Sequence, residues 1–184
     1  MPRVLIPLAA GFEELEAVTL IDLLRRAEIE VVTAGLEPGP VTGSRGTVIL
    51  PDSTLDAAQT AAFDMVVLPG GLPGAKRLEA DPRIQALLRS YRAEGRFMAA
   101  ICAAPKVLAA AGLLDGRSAT GYPGTLDPAQ FPRVRLLEEP VVVDGPVITS
   151  RGPGTAMDFA LRLIELLVGP EPRRRVEAAL VRPA

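Results

Sequence analysis

The chain has no histidine, no tryptophan and no asparagine, and it has a single cysteine, Cys102. Without histidine there is no Cys–His or Ser–His pair and no His-ligated metal. One cysteine excludes an internal disulfide and fits a reducing, cytoplasmic setting. A metal would have to be held by carboxylates alone, and no acidic run has calcium-loop spacing. We therefore expect no metal and no cofactor. No apolar run reaches the length of a membrane span, and residues 1–7 lack a signal-peptide core. The net charge of −2 excludes a strong basic field for nucleic acid. The one basic cluster, Arg173-Arg174-Arg175, suits a solvated helix face. Labile residues are scarce, with no asparagine, few glutamines and one cysteine, and basic residues are mostly arginine; heat adaptation reduces labile residues, and coding composition gives the same bias.

What is present reads as one domain over residues 1–184, long enough to bury a core unaided. Strand and helix patterns alternate. Residues 3–7, 30–34, 63–68 and 97–101 are short apolar runs that read as buried strands. Residues 13–27 and 155–168 carry apolar residues at helical spacing. Helices are also expected at 74–79, 82–94 and 171–180, with Asp81-Pro82 as a start signal. A short helix in 52–62 would take Asp52 or Ser53 as its cap. Residues 41–50 suggest a small hairpin, 118–121 a short strand, and 147–149 a return to the sheet. Residues 134–137 and 141–143 are expected to pair as an outer ribbon. Alternation of this kind implies an α/β fold with a mostly parallel sheet covered on both faces.

In such sheets ligands bind beyond the carboxyl ends of the strands. Five segments meet there: residues 10–16, Gly70-Gly71, Cys102, Tyr122 and residues 150–154, including Arg151. Cys102 lies where a strand turns into a helix, so unpaired N–H groups and the helix dipole should favour its thiolate. A lone cysteine in an apolar stretch is otherwise a small buried hydrophobe. Glu13, Glu14 and Glu16 open the first helix, where acidic residues complement the dipole. Helical spacing turns Glu16 away from the other two. Facing the site, it would be desolvated beside sulfur, and its pKa would rise. Gly70-Gly71 makes either a tight turn or a backbone donor to an oxyanion, paired with the N–H of Ala103. Gly152-Pro-Gly154 is not a dinucleotide fingerprint, because the third position is Met157. A flavin- or nucleotide-binding module has only fold analogy behind it.

Four motifs then stand in order: Gly11-Phe-Glu-Glu-Leu-Glu16, Val67-Leu-Pro-Gly-Gly71, Ala99-Ala-Ile-Cys-Ala-Ala-Pro105 and Thr149-Ser-Arg-Gly-Pro-Gly-Thr155. Together they resemble the ThiJ/PfpI superfamily, most closely the branch holding the parkinsonism-associated deglycase and its bacterial YajL-type relatives. The resemblance implies a flavodoxin-like, doubly wound three-layer sandwich and a homodimer. It implies Cys102 as nucleophile, Glu16 as the carboxyl group at the sulfur, and Gly71 and Ala103 as oxyanion donors. Gly70, Tyr122 and Arg151 would line the substrate pocket. Tyr122 stands where the parkinsonism-associated members carry histidine, and Ala103 stands where protease-type members do, so peptidase activity is not expected.

The activity implied is a cysteine-dependent glyoxalase or deglycase, acting on glyoxal, methylglyoxal or their early adducts with thiols and amines. The alternative is a redox-sensing or chaperone-like protein built on oxidation of Cys102.

Overall fold

The computed structural model describes residues 1–182. Its elements in chain order begin with β1 (Arg3–Leu8), α1 (Glu14–Arg26), β2 (Glu30–Gly35), β3 (Val41–Thr42), β4 (Val48–Ile49), β5 (Ser53–Thr54) and α2 (Leu55–Ala58). They continue through β6 (Met65–Leu68), α3 (Leu72–Ala80), α4 (Pro82–Glu94), β7 (Phe97–Ile101) and α5 (Pro105–Ala110). The last are β8 (Ser118–Ala119), β9 (Arg135–Leu136), β10 (Val141–Asp144), β11 (Val147–Ser150), α6 (Ala156–Val168) and α7 (Pro170–Ala179).

The main sheet has the order β10-β11-β7-β6-β1-β2-β5. All neighbours run parallel except the edge pair β10 and β11. Helices α1, α6 and α7 pack together, and α3 packs with α4 and α5. The central strands β1, β6 and β7 are buried because both faces are covered, which is why they read as apolar runs without alternation. This is the flavodoxin-like α/β arrangement. Local signals set the boundaries of α4 well. Asp81 accepts the N–H of Arg83 at 2.8 Å, Pro82 opens the helix, and Gly95 closes it in the left-handed conformation at φ 67°.

Two sequence expectations are corrected. The helix α2 is capped by Thr54, not by Asp52 or Ser53. The Asp52 carboxylate is instead taken by the Thr33 N–H at 2.9 Å and hydroxyl at 2.7 Å, a contact from a distant strand. The proposed ribbon of 134–137 with 141–143 does not form. Pro140 has no N–H to give a ladder, and Gly145, at φ 60°, turns β10 directly back onto β11. The short strand expected within 118–121 forms as β8, which lies outside the main sheet and pairs in parallel with β9. Asp144 holds β8 there, accepting the Ser118 N–H at 2.8 Å and pairing with Arg117 at 3.0 Å. Among the described residues no helix is long and apolar enough to cross a membrane.

Candidate active site

Sheet order locates the site. The chain adds β2 and β5 on one side of β1, then returns to add β6 and β7 on the other. The loops after β1 and β6 therefore part at this switch and leave a crevice beyond the strand ends. Loop 9–13 is tied across it: the Glu13 N–H donates to Gly70 O at 3.0 Å, and the Gly11 N–H to Thr42 O at 2.8 Å.

Cys102 follows β7 and adopts φ 64°, a left-handed conformation rare for a residue with a side chain. Its backbone is held on both sides. Its N–H donates to Ser150 O at 3.0 Å, and its carbonyl accepts the Tyr122 N–H at 2.8 Å. This is the sharp strand-to-helix turn expected from the sequence, and it aims the sulfur at the crevice formed by α1 and residues 70–71. Strain kept at such a position is characteristic of functional turns.

Glu16 projects from α1 to meet it and is wholly buried. Its Oε2 accepts the Gly70 N–H at 2.8 Å, while Oε1 is buried without a hydrogen bond of full geometry. Burial raises the Glu16 pKa from 4.5 to about 7, against the opposing pull of the Gly70 N–H and the Cys102 thiol. Burial also pushes the Cys102 thiol up to about 12, and the neighbouring Glu16 carboxylate adds to the rise. The N–H groups of Gly71 and Ala103 act on the sulfur in the other direction. The helix-driven thiolate expected from sequence is therefore overruled. α5 starts three residues beyond the sulfur and is only six residues long, so burial and the carboxylate dominate. The two groups titrate as a pair, and the proton leaving near pH 7 leaves one negative charge shared between them.

Gly71 needs no side chain for two reasons. Its φ is 87°, and an added Cβ would collide with the Gly11 carbonyl oxygen. Gly70 is equally crowded by Glu16 and Cys102. The structure thus brings Glu16, Gly70, Gly71, Cys102 and Ala103 together. Tyr122 is at the rim, half exposed, with its ring against Gly152. Arg151 is engaged elsewhere: its guanidinium donates to Glu138 O at 3.2 Å, and none of its hydrogen bonds reaches the Cys102–Glu16 pair.

Sequence reasoning missed the work of Glu14. Beyond complementing a dipole, its buried carboxylate accepts the Arg45 N–H at 2.6 Å, the Thr47 N–H at 3.2 Å and the Ser44 hydroxyl at 3.0 Å. It moors the β3–β4 hairpin over the first turn of α1. The signal was Gly43, whose added Cβ would lie 2.5 Å from that carboxylate.

Residues 2–166 match the DJ-1/PfpI family. The chain is 45% identical over 179 residues to Protein dj-1beta of Drosophila melanogaster, covering 96% of this chain and 95% of that one. It is 38% identical over 159 residues to a Caenorhabditis elegans protein named glutathione-independent glyoxalase DJR-1.2, covering 86% and 84%. The solved structure of Toxoplasma gondii DJ-1 in an oxidized form has a TM-score of 0.94 to this chain at 40% identity, covering 100% of both.

Proposed function

The chain belongs to the DJ-1/PfpI family, and on that footing we propose that it is a cysteine-dependent glyoxalase converting glyoxal and methylglyoxal to 2-hydroxy acids. The observation that carries this reading is the buried carboxyl group with one unpartnered oxygen beside the only thiol. A glyoxalase needs a nucleophile and a base that titrates near neutrality, and burial supplies the second. The glyoxalase name of the nematode relative supports the same reading.

In this scheme the Cys102 sulfur adds to the aldehyde carbon as Glu16 takes the thiol proton. The N–H groups of Gly71 and Ala103 bind the oxyanion, which Glu16 then protonates to give the hemithioacetal. The Glu16 carboxylate next removes the hydrogen from that same carbon, forming an enediol. Returning the proton to the neighbouring carbon gives a 2-hydroxyacyl thioester. Water cleaves it, releasing the hydroxy acid and restoring the thiol. Electrons are conserved throughout, since one carbon is oxidised as its neighbour is reduced. Early adducts of the aldehyde with thiols and amines form reversibly, so consuming free aldehyde also reverses them. Tyr122 walls the pocket in this scheme, and Arg151 shapes its rim through the 138–140 segment.

Acid quenching of the protein during turnover of methylglyoxal tests the scheme. Mass spectrometry should find a lactoyl thioester on Cys102 in wild type and not in Glu16→Gln. An unmodified wild-type cysteine under turnover conditions would rule the scheme out.

The oxidized relative favours one second reading, oxidation of Cys102 as a sensor. A protonated Glu16 would donate to a sulfinate oxygen. Under this reading mild peroxide adds two oxygens to Cys102 and Glu16→Gln fails to retain them, while wild type does not convert methylglyoxal.

We propose further that the chain forms a homodimer. The support is an apolar surface left exposed at Leu15 and Val18 of α1 and at Val48 and Leu50 around β4, with Val18 and Leu50 lining one groove.

A further inference from the structure

A cavity of about 530 Å³ opens between α3, α5 and residues 124–130. Ala103, whose N–H lies at Cys102, forms part of its wall, and so does Leu72, next in the chain to Gly71. Its charged lining is Lys76, Lys106, Glu79 and Asp127, joined by Thr125 and Gln130.

The choice of residues there is unusual for this chain. Of its 20 basic residues only two are lysine, and both face this one cavity. Lys106 is the second residue of α5 and is half-buried. Two positive and two negative groups line the same space, yet among the described residues none of the four makes an ion pair. Charges of both signs held apart around a cavity match a ligand that carries both signs. The volume falls in the range of small-molecule sites and exceeds what a three-carbon aldehyde fills.

We propose that this cavity binds a zwitterionic amino acid or short peptide, with its carboxylate toward Lys76 and Lys106 and its ammonium toward Glu79 and Asp127. Because Leu72 and Ala103 in its wall adjoin the N–H groups that act on the sulfur, it is placed to receive the peptide part of a dicarbonyl–thiol adduct while the carbonyl carbon meets the sulfur. The adduct as substrate rests on the glyoxalase reading above; the peptide site does not.

A chemical-shift titration of the full chain with S-methylcysteinylglycine tests this, because the thioether cannot react. The dipeptide should shift resonances lining the cavity. Its affinity should fall about tenfold or more in the double variant Lys76→Gln/Lys106→Gln, the loss of one good charge contact or more. It should return in Lys76→Arg/Lys106→Arg. The same dipeptide with its amine acetylated and its carboxylate amidated should bind at least as weakly as the dipeptide binds the Gln variant. Equal binding of charged and capped dipeptides, unchanged binding by the Gln variant, or no binding to wild type would each overturn the proposal. The two readings separate cleanly. A wild type that converts free methylglyoxal but ignores the dipeptide loses only the subsite. One that binds the dipeptide but does not convert methylglyoxal keeps the subsite and loses the enzyme.

Discussion

Gly70 donates its N–H to Glu16 Oε2 at 2.8 Å, and a Cβ placed on Gly70 would stand 2.5 Å from that oxygen and 2.6 Å from Cys102 Cβ. The absence of one carbon atom is what lets carboxyl and sulfur meet. Gly70→Ala should therefore fold yet displace the carboxyl from the thiol. A misplacement of this size costs about 100-fold in rate. Steady-state kcat/KM for methylglyoxal, with far-UV circular dichroism as the control for folding, measures it; unchanged kcat/KM would mean that the close approach is not used.

The raised pKa of Glu16 predicts opposite trends in activity and stability. Activity should rise with pH through about 7, as the pair loses its first proton, and Glu16→Gln should lose that limb. Between pH 4.5 and about 7 the folded chain keeps a proton that the unfolded chain has released. The Glu16 contribution to stability is thus whole below 4.5 and lost as pH rises through about 7. A displacement of that size is worth about 3 kcal/mol. Urea unfolding at pH 4.5 and pH 8 should show Glu16→Gln gaining on wild type by roughly this amount. A difference that stays constant with pH would contradict the burial argument.

The left-handed backbone of Cys102 reverses an ordinary preference. Glycine is usually less stable than alanine at an ordered position, but at φ 64° alanine carries the steric penalty. Cys102→Gly should be more stable than Cys102→Ala by about 1 kcal/mol. Thermal unfolding of the two variants compares them directly, and the reverse order would mean that the turn relaxes once the thiol is gone.

A dimer through α1 and β4 predicts a change of mass on altering one side chain. Leu50 is 75% exposed in the single chain, so Leu50→Glu should leave the fold intact. It should also convert the dimer to monomer in sedimentation equilibrium, because a buried unpaired charge is costly. A wild type that sediments as a monomer, or a variant that remains dimeric, removes that face from consideration.

Much of this was legible in the chain. Residues 82–94 and 97–101 have the boundaries read from sequence because their signals are local: Asp81-Pro82 starts the helix, Gly95 ends it, and an unbroken apolar run marks the strand. Cys102 and Glu16 were legible because strand ends and helical spacing place them. What sequence did not reveal depends on distant partners. Asp52 looked like a cap until Thr33 claimed its carboxylate. The 141–144 strand looked like the partner of 134–137 until Gly145 folded it onto β11. The sulfur looked like a thiolate because the helix dipole is visible in sequence, whereas its burial and the Glu16 charge are not.

The most direct test of the Cys102–Glu16 account is lactate formation from methylglyoxal by wild type, Cys102→Ser and Glu16→Gln. The account predicts sustained turnover by wild type and loss of it in both variants. Turnover that survives in either variant, or a wild type that makes no lactate while its thiol is reduced and reactive, would contradict it.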